Sequence, residues 1–321
     1  MKSFNDKIAV VTGAGTGMGR ELSRQLAAEG CHVAMCDISG SDMEHTRSLC
    51  AAESPEGTQL LTCLADVSQE SQLEDFRTAI CREFETDCVN LVFNNAGIGG
   101  AGSMIVDERE AWERTFDICW KGVYYGTRTF MPLLVASDEG HLVNTSSVNG
   151  FWASLGPDIP HTAYSAAKFA VKGFTEALVN DFRLNAPHVK VSVVMPGHIG
   201  TSIVINSGKI LGRTPKDMTD EELEEVRERI SRAGIDVGNV TTEQLRVFLQ
   251  IRAEQFRDAA PMTAADAATA ILEGVREERW RILVGEDAEI IDRMVREFPE
   301  DAYERSFMEQ LLAQTRWGFT S

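Results

Sequence analysis

The stretch Tyr164-Ser165-Ala166-Ala167-Lys168 carries the residue types best suited to moving a proton. It sits in a helical run, Thr162 to Asn185, which places Tyr164 and Lys168 one turn apart on one face. A free tyrosine has a pKa of about 10, so only about one in a thousand is phenolate at pH 7. A unit cation about 4 Å away, at an effective dielectric of about 20, is worth roughly 4 kcal/mol, or about three pK units. This predicts a Tyr164 hydroxyl near neutrality, able to take a proton from an alcohol oxygen or return one. The same spacing also suits a solvated helix face. Three further signals place it in a site.

The first is near the N-terminus. Lys7 to Thr12 reads as a β-branched buried strand, and it enters Gly13-Ala14-Gly15-Thr16-Gly17-Met18-Gly19. A helical pattern follows from about Met18 to Glu29, with Leu22 and Leu26 on one face. Glycines let the backbone approach a pyrophosphate, and the helix N-terminus supplies N–H groups and a positive dipole.

The second signal is His32 to Asp37, a strand ending in a carboxylate at about the 20-residue offset expected of a ribose-binding acid. A carboxylate there accepts hydrogen bonds from ribose hydroxyls and repels a 2′-phosphate. Ile38 follows, and no basic residue comes before Arg47, so the sequence favours NAD over NADP. The third signal is a series of polar loops, each after a short apolar run. Asp66-Val67 follows Leu60–Leu64, Asn94-Asn95-Ala96-Gly97 follows Val89–Phe93, and Asn144 to Ser147 follows His141–Val143. Pro196 to Thr201 follows Val189–Met195. These read as loops at the carboxyl ends of parallel strands, where open α/β sheets bind ligands.

With these motifs in place, the chain resembles a classical short-chain dehydrogenase/reductase. The family's T-G-x-x-x-G-x-G stands at Thr12 to Gly19, its N-N-A-G at Asn94 to Gly97 and its Y-x-x-x-K at Tyr164 to Lys168. The resemblance covers about residues 5 to 201 and resumes at about 262 to 292. It implies that Gly13, Thr16, Gly17, Met18 and Gly19 flank the pyrophosphate. Asp37 and Ile38 would hold the adenosine ribose, with Asp66 and Val67 around the adenine. Asn95, Ala96 and Gly97 would floor the cofactor site, and Pro196, Gly197, Ile199 and Thr201 would line it, Thr201 at the nicotinamide amide. Tyr164 would be the acid/base, and Lys168 would bind the nicotinamide ribose and lower the Tyr164 pKa. Ser147 is preferred to Ser146 as the serine that orients substrate, because Val148-Asn149-Gly150 follows it. Cys119 stands where the family commonly has an asparagine. That residue's main-chain carbonyl is implied to hold a water linking the lysine to solvent, and cysteine also supplies a carbonyl.

These units require a Rossmann-type α/β fold: a doubly wound parallel sheet in three layers, with Val189–Met195 as sixth strand and Arg281–Val284 as seventh. At 321 residues, one domain spanning 1–321 has ample core. The apolar content of 43% and charged content of 25% are ordinary for a soluble protein. A net charge of −18 argues against nucleic acid and anionic membranes as partners. No signal-like or membrane-spanning run appears, and seven cysteines without a C-x-x-C fit reduced thiols in a cytoplasmic protein. No metal-ligand spacing occurs. His161 and His198 lie near the site in sequence, but each is expected to be solvated. A homodimer or homotetramer is expected.

A helical insert, 202–261, follows the sixth strand. It has an apolar start at Ile203–Ile205, a charged helix from Thr219 to Ala233 and a second helix from Thr242 to Arg257. Gly208, Gly212, Gly234 and Gly238 offer hinges. It reads as a substrate lid, the alternative being a solvated excursion. The extension 299–321 holds a helix from Ala302 to Arg316, expected to pack on the body or a partner subunit. Ile98, Phe151, Trp152, Leu155, Ile199, Ile203 and Val204 are the expected pocket residues. With no arginine pair to clamp an anion, the expected substrate is an uncharged hydrophobic secondary alcohol or ketone. The alternative function is a catalytically silent NAD(H)-binding sensor.

Overall fold

Short β-branched runs supply the centre of the molecule. The computed structural model describes residues 1–100, 102–157, 159–232, 236–315 and 317. Six strands come first: Ile8–Thr12 (β1), His32–Asp37 (β2), Leu60–Leu64 (β3), Leu91–Asn94 (β4), Gly140–Thr145 (β5) and Val189–Pro196 (β6). A two-residue parallel ladder joins Ile199–Gly200 (β7) to Met262–Thr263 (β8), and Arg281–Val284 (β9) closes the main sheet. The main sheet is parallel throughout, in the order β3-β2-β1-β4-β5-β6-β9. The strand order reverses at β1, which pairs with both β2 and β4, so a crevice opens beyond their carboxyl ends.

Helices cover both faces. Gly17–Ala28 (α1) and Gly40–Glu53 (α2) lie on one face. Glu70–Glu83 (α3), Arg109–Phe116 (α4), Gly122–Ala136 (α5) and Thr162–Asn185 (α6) belong to the other side. Alternation along β1 sets this up: Ala9 and Val11 enter the core under α1, and Val10 enters the core under α3.

Among the described residues, the connection after β6 holds three helices: Ile203–Ile210 (α7), Asp220–Arg232 (α8) and Thr242–Asp258 (α9). The sequence marked only an apolar cluster where α7 forms. Thr219 and Glu222 cap α8 reciprocally, at 3.2 Å and 2.6 Å. Met218, Leu223 and Leu245 form a small core of their own between α8 and α9. Glu221, Glu224 and Glu225 are exposed. The expected end of α8 at Ala233 and the hinge at Gly234 lie outside the described residues. Ala264–Arg276 (α10) packs on α1, followed by Glu286–Glu297 (α11) and Arg305–Gln314 (α12). Phe307 and Leu311 of α12 are buried against α11, which holds the extension on the body. The expected helix end at Arg316 lies outside the described residues. No described helix is long and apolar enough to cross a membrane.

Candidate active site

The glycine turn is shaped by close approach. Gly13 and Gly17 have φ of 66° and 56°, the left-handed region that favours glycine. A Cβ on Gly13 would stand 2.7 Å from the Ala96 Cα, and one on Gly19 would stand 2.1 Å from the Gly13 carbonyl. The Thr12 hydroxyl accepts from the amides of Asn95 and Ala96, at 3.0 and 3.1 Å, and so joins the turn to the next loop. Thr16, the N-cap of α1, makes no capping bond, and the first N–H groups of α1 have no side-chain acceptor there.

Beside the turn lies a cavity of about 520 Å³. Gly13, Thr16, Gly17 and Met18 form one wall, Asp37 and Ile38 another, and Asp66, Val67, Asn95, Ala96 and Gly97 a third. The Asp37 carboxylate accepts from the amides of Gly15 and Ser39, at 3.0 and 3.1 Å, which fixes it at the end of β2. The helix cap here is Ser39. Burial opposes ionisation of Asp66, yet hydrogen bonds from Arg114 and Ser68 hold its carboxyl below the usual range. Left-handed glycines, open helix amides and a fixed carboxylate fit a dinucleotide. Sequence reasoning missed Arg114, Asn206 and Lys209 in these walls. Ile98, expected in the substrate pocket, lines this cavity instead and is buried.

A second cavity, of about 800 Å³, shares Met18, Asn95, Gly97, Thr201 and Ile203 with the first. It gathers Ser147, Tyr164 and Lys168 with Pro196, Gly197 and Ile199. Ser147 caps a short 3₁₀ turn, Val148–Gly150, its hydroxyl accepting from the Asn149 amide at 3.1 Å. Ser146 does not line the site in the same way: its hydroxyl is buried and donates to the Lys168 carbonyl. The Lys168 side chain is 2% exposed and donates from Nζ to the Thr145 carbonyl at 2.8 Å.

The expected lowering of the Tyr164 pKa is not found. Lys168 Nζ stands 5.4 Å from the Tyr164 ring centroid and is engaged with Thr145. Burial pushes the Tyr164 phenol up, and a hydrogen bond with the Ser147 side chain opposes it. Burial also lowers the Lys168 pKa. The loss of water thus outweighs the lysine charge. The His161 ring packs 4.7 Å from that of Tyr164, and burial pushes its pKa down to about 4, so it is a neutral neighbour lining the cavity. The sequence placed it in solvent.

Cys119 sits in a π-helical turn, Asp117–Lys121, between α4 and α5. Its thiol is fully buried and donates to the Ile98 carbonyl at 3.2 Å. Burial pushes the thiol up, against the charge of Lys168, so it is neutral. A Cβ on Gly97 would stand 3.5 Å from Lys168 Nζ and 3.7 Å from Cys119 Sγ, so all three meet at one point.

Leu155, Ile199, Ile203 and Val204 line the larger cavity as expected. Phe151 and Trp152 do not. The 3₁₀ turn carries the chain away from the cavity, and Trp152 is buried against the C-terminal extension. Its ring lies 5.7 Å from Phe307 and 5.8 Å from Trp317, and Nε1 donates to the Ala302 carbonyl at 2.7 Å. Phe151 packs beside it, 5.9 Å from the Arg281 guanidinium. His198 is also buried rather than solvated: its amide donates to Asp287 and its Nε2 to the Phe256 carbonyl. Met308 and Trp317 of the extension, Phe248 and Phe256 of α9, and Arg229 and Arg252 complete the walls. The expectation that no arginine pair faces the pocket is therefore overturned. Its one trace in the sequence is Phe248, Arg252 and Phe256 at intervals of four, one face of a helix, which does not say whether that face meets the cavity.

Residues 7–210 match the model of the family described as short chain dehydrogenase. SadH of Mycobacterium tuberculosis, named as an oxidoreductase, is 33% identical over 297 residues, 92% of each chain. The structure of a short chain dehydrogenase/reductase from Burkholderia phymatum in complex with NAD superposes with a TM-score of 0.72. The identity is 29%, over 94% of this chain and 96% of that one. A metagenomic short-chain oxidoreductase in complex with NADP gives a TM-score of 0.53 at 26% identity, over 61% of this chain and 84% of that one.

Proposed function

The chain belongs to the short chain dehydrogenase family, and we propose that within it the protein is an NAD(H)-dependent oxidoreductase interconverting a secondary alcohol and its ketone. The observation that carries this reading is the meeting of Ser147, Tyr164 and Lys168 in one cavity beside the glycine turn. The bound nicotinamide would accept a hydride from the alcohol carbon or return one to the ketone carbon. Gly13, Gly17, Asp37 and Thr201 would hold the dinucleotide. Ser147 would hydrogen-bond the substrate oxygen and point it at the Tyr164 hydroxyl. With its pKa raised by burial, Tyr164 rests as a phenol. That form gives a proton to a ketone oxygen, and the reverse reaction needs the phenolate, which the Lys168 ammonium favours by charge. Asp37 supports NAD over NADP, since it would face a 2′-phosphate.

The insert, 202–261, follows Thr201 directly, and its helices α7 and α9 contribute cavity walls. It acts in this reading as a lid that excludes water over the nicotinamide. A panel of secondary alcohols and ketones, followed by NADH absorbance, tests the proposal. Turnover with NAD(H) is the expected result. Tight NADH binding without turnover across the panel would favour a silent sensor.

A further inference from the structure

Arg229 and Arg252 stand in a cavity otherwise walled largely by apolar side chains, in a chain of net charge −18. Neither position is needed to bind the dinucleotide or to move the proton. Each comes from the insert, Arg229 from α8 and Arg252 from α9. Their surroundings leave positive charge over. Asp107 is the carboxylate in reach: its side chain is 3% exposed, and its Oδ2 is taken by the amides of Gly102 and Ser103, both at 2.7 Å. Its Oδ1 is shared between Arg213 at 3.7 Å and Arg229 at 3.6 Å. Two guanidiniums thus divide one carboxylate at ion-pair rather than close hydrogen-bond distance. Arg252 has even less. Among the described residues its contact is the Phe248 ring, 5.7 Å from the guanidinium, with no carboxylate or carbonyl bonded to it.

A guanidinium presents a planar fork of donors that matches a carboxylate, and it stacks on aromatic faces without losing those donors. Phe248 and Phe256, one helical turn to either side of Arg252, supply the apolar flanks. Covering such a partly exposed fork with an apolar ligand costs desolvation unless a counter-charge arrives with that ligand. We infer that Arg252, seconded by Arg229, binds a carboxylate on the substrate, so that the substrate is an amphipathic hydroxy or keto acid. Its apolar body lies against Leu155, Ile203 and Leu249, and its reacting carbon lies at Tyr164. This rests on the dehydrogenase reading above. It names the substrate class of that same site, and it gives the lid a reason to close, since the lid itself carries the charge.

The test pairs each secondary hydroxy acid in a chain-length series with its methyl ester, at equal apolar length. The acid should have the higher kcat/KM by at least about tenfold, because it alone makes a charge-assisted hydrogen bond to the guanidinium. The difference should sit in KM. Arg252→Gln should bring the acid-to-ester ratio towards one, and Arg252→Glu should invert it, an effect that a purely structural arginine would not produce. If these variants fail to fold, rising salt applied to the native enzyme should raise KM for the acid and leave that for the ester flat. Esters used as well as acids, with a ratio indifferent to Arg252 and to salt, would overturn the inference while leaving the dehydrogenase reading intact. Should neither series turn over, the broader panel of alcohols and ketones decides the dehydrogenase reading. Calorimetric binding of a keto acid and its ester to the NADH complex then decides the arginine assignment separately: an acid no tighter than its ester overturns it.

Discussion

Ser146 and Lys168 are tied together from both ends. The Ser146 hydroxyl donates to the Lys168 carbonyl at 2.7 Å, while Lys168 Nζ donates to the carbonyl of Thr145, the preceding residue, at 2.8 Å. The loop after β5 is thereby fastened to α6, and Ser147, one residue on, is set beside Tyr164.

Two adjacent serines should therefore share a stability cost and differ in catalysis. Ser146→Ala should lower stability by about 1 kcal/mol, since a buried hydrogen bond is lost, and should change turnover little. Ser147→Ala should lower kcat by about 10²-fold, the usual cost of removing one donor to a reacting oxygen, and should also lower stability by about 1 kcal/mol because the Asn149 amide loses its cap. Urea unfolding and steady-state kinetics on both variants check this; a reversed pattern would assign the catalytic role to Ser146.

Tyr164→Phe should reduce turnover by roughly 10²–10⁴-fold and leave NADH affinity nearly intact, because the hydroxyl faces the substrate. Lys168→Ala should damage both, its charge serving the nicotinamide ribose and the proton transfer. Fluorescence titration of NADH alongside kinetics separates the two effects. A Phe variant with near-native turnover would remove Tyr164 from the mechanism.

Asp37 should give NAD(H) an advantage over NADP(H) of at least about tenfold, a repulsion of only about 1.4 kcal/mol. Asp37→Ser should narrow that gap by relieving NADP(H). Equal efficiency of the native enzyme with both dinucleotides would refute the assignment of Asp37.

Cys119→Asn should change the rate by less than about tenfold, or about 1.4 kcal/mol, because the role implied for this position belongs to its main-chain carbonyl. The thiol is neutral and bonded to Ile98, so it brings no charge to the site. A gain of a hundredfold or more would show that asparagine's side chain matters here.

His141 governs a pH effect on stability. It is 1% exposed, its Nε2 shares a 2.7 Å hydrogen bond with Ser192, and burial pushes its pKa down to about 3. An unfolded histidine titrates near 6.5, so below that pH the unfolded chain binds the extra proton and the folded one does not. Stability should fall as pH drops from about 6.5, by roughly 1.4 kcal/mol per pH unit from this group. His141→Gln should flatten the dependence of Tm on pH in that window. An unchanged slope would locate the acid sensitivity elsewhere.

The sheet, its topology and the dinucleotide crevice were legible because each rests on local pattern. A β-branched run, a turn and an amphipathic helix can be read residue by residue, and Asp37 is placed by its distance from the glycines. Three things were not legible. The state of Tyr164 depends on how much water the whole fold removes, which no spacing encodes. The directions of Phe151 and Trp152 depend on a 3₁₀ turn of three residues, too short to leave a periodic signal. Arg229 and Arg252 belong to helices that were recognised as helices, but which face of each meets the cavity is set by packing between α8 and α9.

Trp317 and Met308 have a consequence for how the protein comes to work during its synthesis. Both wall the larger cavity, and the Trp317 indole donates to the Leu155 carbonyl, while Trp152 holds Ala302. A nascent chain emerging from the ribosome can assemble the dinucleotide crevice once α10 has packed on α1, yet its substrate chamber lacks a side until Met308 and Trp317 follow. Such a chain would hold NADH before it could choose a substrate. A fusion tag placed directly beside Trp317 would accordingly crowd that wall of the chamber.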